Sequence, residues 1–315
     1  MVNSAYNSSG SSSLASTTNP PVITAMVTPV DPAGSIDHDG LDRVVDRVLA
    51  GGVHGVSPCG STGEGARLTL DQRLEVARRV RARAPQATVI PGVPVTAVPL
   101  AHEELAELGR LDVTAALVPP PSYYPSSDDE LLRLYIGLAD TSPVPIVLYN
   151  IPVFTDVMLP VGVVARLAEH PRIVGIKDSS RDMEYLQSVV MAVRDASSSF
   201  TVYTGTDTLL VASLLTGAGG ALTASSNLVP ELVVEVAAAF TRGDLDHAGR
   251  VQRRLAEVVD ACRRGAAPAG WKAALHLAGV CGPDLVPPAS VLPAVQVEEL
   301  RDALVATDVL VASGA

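Results

Sequence analysis

From Pro21 onward, short apolar, β-branched runs alternate with longer stretches of helical periodicity, and this alternation constrains the chain more than any other feature. The strand-like runs fall at residues 22–28, 53–57, 88–91, 115–118, 145–149, 173–177, 201–204 and 220–223. The helical stretches between and after them fall at 41–50, 70–84, 100–111, 127–139, 159–169, 183–193, 209–216 and 231–241. Runs such as PIVLY and RIVGIK lack the polar alternation of a half-exposed strand, as expected of a parallel sheet covered on both faces. Eight strand–helix units over residues 21–242 predict an α/β fold, a closed (β/α)8 TIM barrel. An open doubly wound sheet is the alternative. A dinucleotide-binding version of it needs a glycine-rich loop after the first strand, and here that place holds TPVDPAGSID.

Outside the repeats lie two further segments. Residues 1–20 hold seven serines and no lysine or arginine, and lack the basic start and apolar middle of a signal peptide; the expectation is a disordered tail. Residues 243–315 read as a C-terminal helical extension, with helices at 245–261, 271–277 and 297–311. Hydrophobic residues make up 47% and charged residues 18%, enough to bury a large core. The net charge of −11 argues against nucleic acid as a partner. No apolar run reaches the roughly 18–20 residues of a membrane span. Cys59, Cys262 and Cys281 are too few, and odd in number, for a disulfide framework, which suggests a reducing cytoplasm. The six histidines never fall at HxxxH or HxH spacing, so no metal is expected.

Barrel enzymes carry their chemistry at the C-terminal ends of the strands. The polar groups there are Gly60-Ser61-Thr62-Gly63-Glu64, Tyr149-Asn150-Ile151-Pro152, Lys177 in GIKDSS, Gly205-Thr206-Asp207, and the glycine-rich stretch at 217–220. Lys177 is the most informative, because Lys272 is the only other lysine in the chain. A lysine closing an apolar strand points into the barrel mouth, where desolvation favours the neutral, nucleophilic amine. The plainer reading is a solvated side chain at a strand end. Tyr149, one strand over, supplies a phenol able to relay protons, although a tyrosine ending a strand is more often a packing residue. The Ser61–Thr62 hydroxyls and the flexible glycines around them suit an anion, although GSTGE alone is only a turn before a helix. The glycines at 217–220 suit either a phosphate site or a tight turn.

Together GSTGE, YNIP, GIKDSS and GAGGALTASSN resemble the Schiff-base pyruvate lyases, the group containing dihydrodipicolinate synthase, N-acetylneuraminate lyase and the 2-keto-3-deoxy sugar acid aldolases and dehydratases. The resemblance spans residues 22–292, with the motifs in order. It implies a barrel with a C-terminal helical segment, assembled as a homo-oligomer, a dimer or a tetramer. It implies that Lys177 forms an imine with pyruvate or another 2-oxo acid, with no separate cofactor, and that an aldehyde is the second partner. Tyr149 becomes the general acid/base working through the Thr62 hydroxyl, and Ser61 and Thr62 hold the substrate carboxylate. Tyr124, rather than Tyr123, is expected to reach the neighbouring subunit's site. Gly205 lines the pocket, and the backbone carbonyl of Leu222 lies near the lysine nitrogen.

One departure bears on the subgroup. In the synthases an arginine follows YNxP by two residues and binds the aldehyde's carboxylate; here Phe154 stands in that place, and phenylalanine cannot make a bidentate carboxylate pair. The expected activity is therefore a pyruvate-dependent lyase or aldolase favouring an uncharged aldehyde or a 2-keto-3-deoxy acid. The alternatives are a dihydrodipicolinate synthase, a dehydratase, and a non-catalytic 2-oxo acid sensor, which has no use for Lys177, Tyr149 and Thr62 together.

Overall fold

A computed structural model describes residues 19–195 and 200–311. The tail expected at 1–20 thus lies, but for its last two residues, outside the described residues. Eight parallel strands form one sheet in the order β3-β2-β1-β8-β7-β6-β5-β4. They are β1 (Val22–Ala25), β2 (Gly55–Ser57), β3 (Thr88–Val89), β4 (Ala116–Val118), β5 (Ile146–Asn150), β6 (Ile173–Asp178), β7 (Thr201–Thr204) and β8 (Gly220–Thr223). The sheet closes between its edges: Leu117 N–H donates to Pro91 O, and Val93 N–H donates to Leu117 O, at 2.8 and 2.9 Å. Strand β3 is short because Pro91 and Pro94 have no N–H to give to a ladder.

Helices α1 (His38–Ala50), α2 (Leu70–Arg83), α3 (Val98–Leu108) and α4 (Asp128–Thr141) follow the first four strands. After β5 come a short α5 (Pro152–Thr155) and α6 (Val161–Leu167); then α7 (Met183–Val193), α8 (Leu210–Thr216) and α9 (Pro230–Thr241) follow β6 to β8. Local chemistry sets where several begin. Thr69 with Gln72, and Ser127 with Glu130, form reciprocal capping boxes at α2 and α4. Asp37 and Asp182 cap α1 and α7. The extension holds α10 (Leu245–Cys262), α11 (Ala269–Leu277) and α12 (Ala294–Ala306). Among the described residues no helix is long and apolar enough to cross a membrane.

Two apolar layers result. Between strands and helices lies the larger core, with Val44, Val76, Leu105, Leu138 and Leu186 buried on the helix side. Inside the barrel a second cluster stacks Ile23, Leu117, Val147, Tyr149, Tyr203 and Leu222. The pleat decides which residue faces which layer. Tyr149, Lys177 and Tyr203 are register partners across β5, β6 and β7. The next residues, Asn150, Asp178 and Thr204, are also in register and face the other way.

Candidate active site

The pleat therefore turns Lys177 inward at the C-terminal end of β6, where it is 4% exposed. Its Nζ donates to the Tyr149 hydroxyl at 3.2 Å and lies 4.3 Å from the centre of that ring. The Tyr149 hydroxyl is in turn 2.9 Å from Ser61 Oγ. Since the phenol oxygen accepts from the amine, its own proton is free to point at Ser61. The result is a proton path: amine, phenol, serine hydroxyl.

Thr62 is not on that path, which corrects the expectation that Tyr149 works through it. Backbone geometry is the cause. Cys59 and Glu64 both sit in the left-handed region, with φ 59° and 56°, and the tight turn between them brings residue 61 over β5. Gly63 is required here: a Cβ would lie 2.8 Å from both Cys59 N and Met26 O. Thr62 lines the cavity beside Lys177, and among the described residues its hydroxyl and the N–H groups of Ser61 and Thr62 make no hydrogen bond. These donors can receive a carboxylate.

The outward layer supports the inward one. Asn150 Nδ2 donates to Asp178 Oδ1 at 2.8 Å, and Asn150 Oδ1 accepts from Leu159 N–H at 3.0 Å. Asp178 also accepts from Ser180 N–H and Oγ at 3.1 and 3.0 Å. Burial pushes the Asp178 carboxyl above its usual range, and these hydrogen bonds oppose the shift. The YNIP and GIKDSS motifs are thus one bonded unit. Gly205 borders Lys177: a Cβ there would come within 2.8 Å of Lys177 Cε and run into the Ser179 hydroxyl. Leu222 is fully buried in the barrel interior below.

The cavity above Lys177 encloses about 450 Å³. It is lined by Ser61, Thr62, Tyr149, Phe154, Gly205 and Asp207, and also by Arg181 and by Arg263, Arg264 and Trp271 of the C-terminal segment. A second lobe of about 280 Å³ shares Ser61, Tyr149, Ile151 and Phe154 with it and runs toward Val93, Pro94 and Pro120. Phe154, 56% exposed on α5, is the wall common to both. Tyr123 and Tyr124 are 90% and 76% exposed, their rings edge to face at 4.9 Å, and Tyr149 has neither of them as a partner within the chain.

Periodicity did not show that the C-terminal segment enters the site. It does so through contacts far apart in sequence: Gln252 Nε2 on α10 donates to Asp207 O at 3.0 Å, and Gln252 Oε1 accepts from Val211 N–H at 3.1 Å. Nor was it legible that Glu64 of GSTGE pairs with Lys272 on α11, at 2.7 Å in a fully buried setting. The scarcity of lysine was the one available signal. Among the described residues no three His, Cys, Asp or Glu side chains cluster as a metal site requires.

Comparison with known proteins agrees with this geometry. The model of the dihydrodipicolinate synthetase family matches residues 19–307. A 4-hydroxy-tetrahydrodipicolinate synthase of Methanoculleus marisnigri is 33% identical over 293 residues, 90% of this chain and 98% of that enzyme. The dihydrodipicolinate synthase of Thermotoga maritima superposes with a TM-score of 0.89 at 28% identity, covering 93% of this chain and all of that one. YagE, a prophage protein of E. coli K12 solved with pyruvate, gives 0.88 at 27% identity over 92% of this chain and 99% of its own. With its barrel, its strand-end lysine and these relatives, the chain belongs to the dihydrodipicolinate synthetase family.

Proposed function

We propose that the protein is a class I, Schiff-base pyruvate lyase of the aldolase type, acting on pyruvate or a related 2-oxo acid and an aldehyde. The observation that carries the reading is the buried Lys177 amine within hydrogen-bond reach of Tyr149, itself bonded to Ser61. The neutral amine adds to the keto carbon, and loss of water leaves an imine whose nitrogen withdraws electrons from the neighbouring C3. Removal of a C3 proton gives an enamine. Attack of that carbon on the aldehyde carbonyl forms the new carbon–carbon bond, and the resulting alkoxide takes up a proton. Water then releases the product and restores the amine; cleavage is the same sequence in reverse. The imine itself is the electron sink, so no further cofactor enters.

Tyr149 is the group placed to move these protons, passing them to Ser61. The free N–H groups of Ser61 and Thr62, with the Thr62 hydroxyl, suit the 2-oxo acid's carboxylate. We assign the exposed Tyr124 to the site of a second copy of the chain, and the three buried, unpaired cysteines support a reducing cytoplasm.

Borohydride trapping tests the reading. Incubation with pyruvate and borohydride should add one reduced pyruvate-derived group per chain, on the peptide containing Lys177. A Lys177→Ala protein that is still labelled to the same extent, through Lys272 or otherwise, defeats it.

A further inference from the structure

The whole chain carries a net charge of −11, yet the cavity over Lys177 has the opposite sign. Arg181, Arg263 and Arg264 line it, against the single carboxylate of Asp207. That carboxylate already accepts the Ser225 N–H at 2.8 Å. A cleft of one sign concentrates ligands of the other, and here the sign is set by a few residues against the protein's overall field.

Arg181 is held in place by its neighbours. Ser180 is bound through its N–H and its hydroxyl to Asp178, Asp182 N–H donates to Ser180 Oγ at 3.1 Å, and Asp182 caps α7. Between these anchors Arg181 adopts φ 64°, a backbone region that long side chains rarely occupy. Its guanidinium makes no hydrogen bond or ion pair among the described residues. Arg263 faces the same cavity from the end of α10, a helix fixed against the β7–α8 connection by Gln252. Arg263 is likewise without a partner among the described residues. Arg264 is partly engaged, with Ala261 O and with Glu299 at 3.8 Å. Arg67 is paired with Glu64 at 3.1 Å and lines the other lobe.

We propose that Arg181 and Arg263 form an anion-recognition pair at the cavity mouth, selecting a second substrate that carries a carboxylate or phosphate at the end remote from its carbonyl. The inference rests on the aldolase reading and deepens it. It also revises the expectation from Phe154 that an uncharged aldehyde is favoured. The aromatic wall lacks a cation, but Arg181 and Arg263 supply two elsewhere around the same cavity. A volume of about 450 Å³ leaves room beyond a three-carbon 2-oxo acid for such a substrate.

The test compares matched aldehydes with pyruvate: succinic semialdehyde against its methyl ester, and glyceraldehyde 3-phosphate against glyceraldehyde. Which anionic member the wild type prefers separates carboxylate from phosphate. Charged hydrogen bonds at a partly exposed rim correspond to losses of about tenfold each, so the Arg181→Ala/Arg263→Ala protein should lose about 30- to 100-fold in kcat/KM on the preferred anionic aldehyde, mostly through KM. Its loss on the neutral counterpart should stay below about threefold. Arg263 also suits the negative end of the α10 dipole, so urea midpoints of each variant separate a folding effect from a binding one. Equal losses on both members of a pair, or a wild type that prefers the neutral members, overturn the assignment. Borohydride trapping of pyruvate should survive in all variants. Its absence in the wild type would instead defeat the aldolase reading on which the proposal stands.

Discussion

The chain's only two lysines are both buried, and their surroundings have little else in common. Lys177, at the barrel mouth, has a phenol oxygen as neighbour and an open cavity above it. Lys272, on α11 in the C-terminal segment, meets the Glu64 carboxylate at 2.7 Å and the Asp284 carbonyl at 2.7 Å, with no exposure at all. The other carboxylate oxygen, Glu64 Oε2, accepts from Val286 N–H and from Arg67. Burial lowers the pKa of the Lys272 amine, and the Glu64 carboxylate opposes the shift. A buried amine facing a carboxylate is a structural clamp, here joining the GSTGE turn to the C-terminal segment. A buried amine facing a phenol hydroxyl and a cavity can act as a nucleophile.

Replacing each lysine by methionine should separate the two roles, and Lys177→Met gives the largest effect. Turnover should fall by about 10⁴-fold or more with the nucleophile gone. The urea midpoint should stay level or rise, since no carboxylate loses its partner. A Lys177→Met protein that unfolds early would mean that the mouth lysine, too, is structural. The next largest effect belongs to the phenol that distinguishes the two settings. Tyr149→Phe should keep pyruvate trapping and lower turnover by about 10²- to 10⁴-fold, the usual weight of acid–base catalysis. Turnover within a factor of two of the wild type would remove Tyr149 from the proton path. Lys272→Met acts in the opposite sense. Leaving the buried Glu64 with only Arg67 and the Val286 N–H as partners should cost up to about 3 kcal/mol of stability, while trapping at Lys177 persists in the folded fraction. Adding Glu64→Gln should recover part of that loss, read as a coupling of about 0.5–3 kcal/mol in a double-mutant cycle. Strict additivity would show that the two side chains do not act as a pair.

These two lysines also mark where sequence reading works. Lys177 and Tyr149 were legible because each closes a short apolar run, and strand ends in a parallel barrel converge on one mouth. The eight repeats were legible because hydrophobic period and capping residues are local properties. The hydroxyl partner was not: whether Ser61 or Thr62 meets the phenol depends on left-handed turns at Cys59 and Glu64, which no local pattern announces. The short helix α5 escaped notice because four residues hold no period. The Glu64–Lys272 pair and the arrival of Arg263 at the mouth come from packing between the barrel and its C-terminal segment, contacts that neither segment's own periodicity records. Phe154 shows a further gap. Its lack of charge was plain in the sequence, but the arginines elsewhere on the same cavity were placed only by the fold.

The smallest expected effect asks how dry the clamp is compared with the mouth. Cys281 is buried near Lys272, and burial pushes its thiol up to about 11 from an ordinary value of 9.0, Lys272 opposing the shift. The folded-state pKa is raised, so this thiol's stabilising contribution is full below pH 9 and is lost as the pH rises toward 11. In that window the unfolded chain has ionised its thiol while the folded chain has not. The slope is about 1.4 kcal/mol per pH unit for one such group. Cys281→Ser removes the titration and also costs some packing at every pH. The advantage of the wild type over this variant in urea unfolding should therefore shrink by about 1 kcal/mol between pH 8 and pH 10. An unchanged difference would mean that water reaches the thiol, and that the clamp around Lys272 is as wet as the cavity above Lys177.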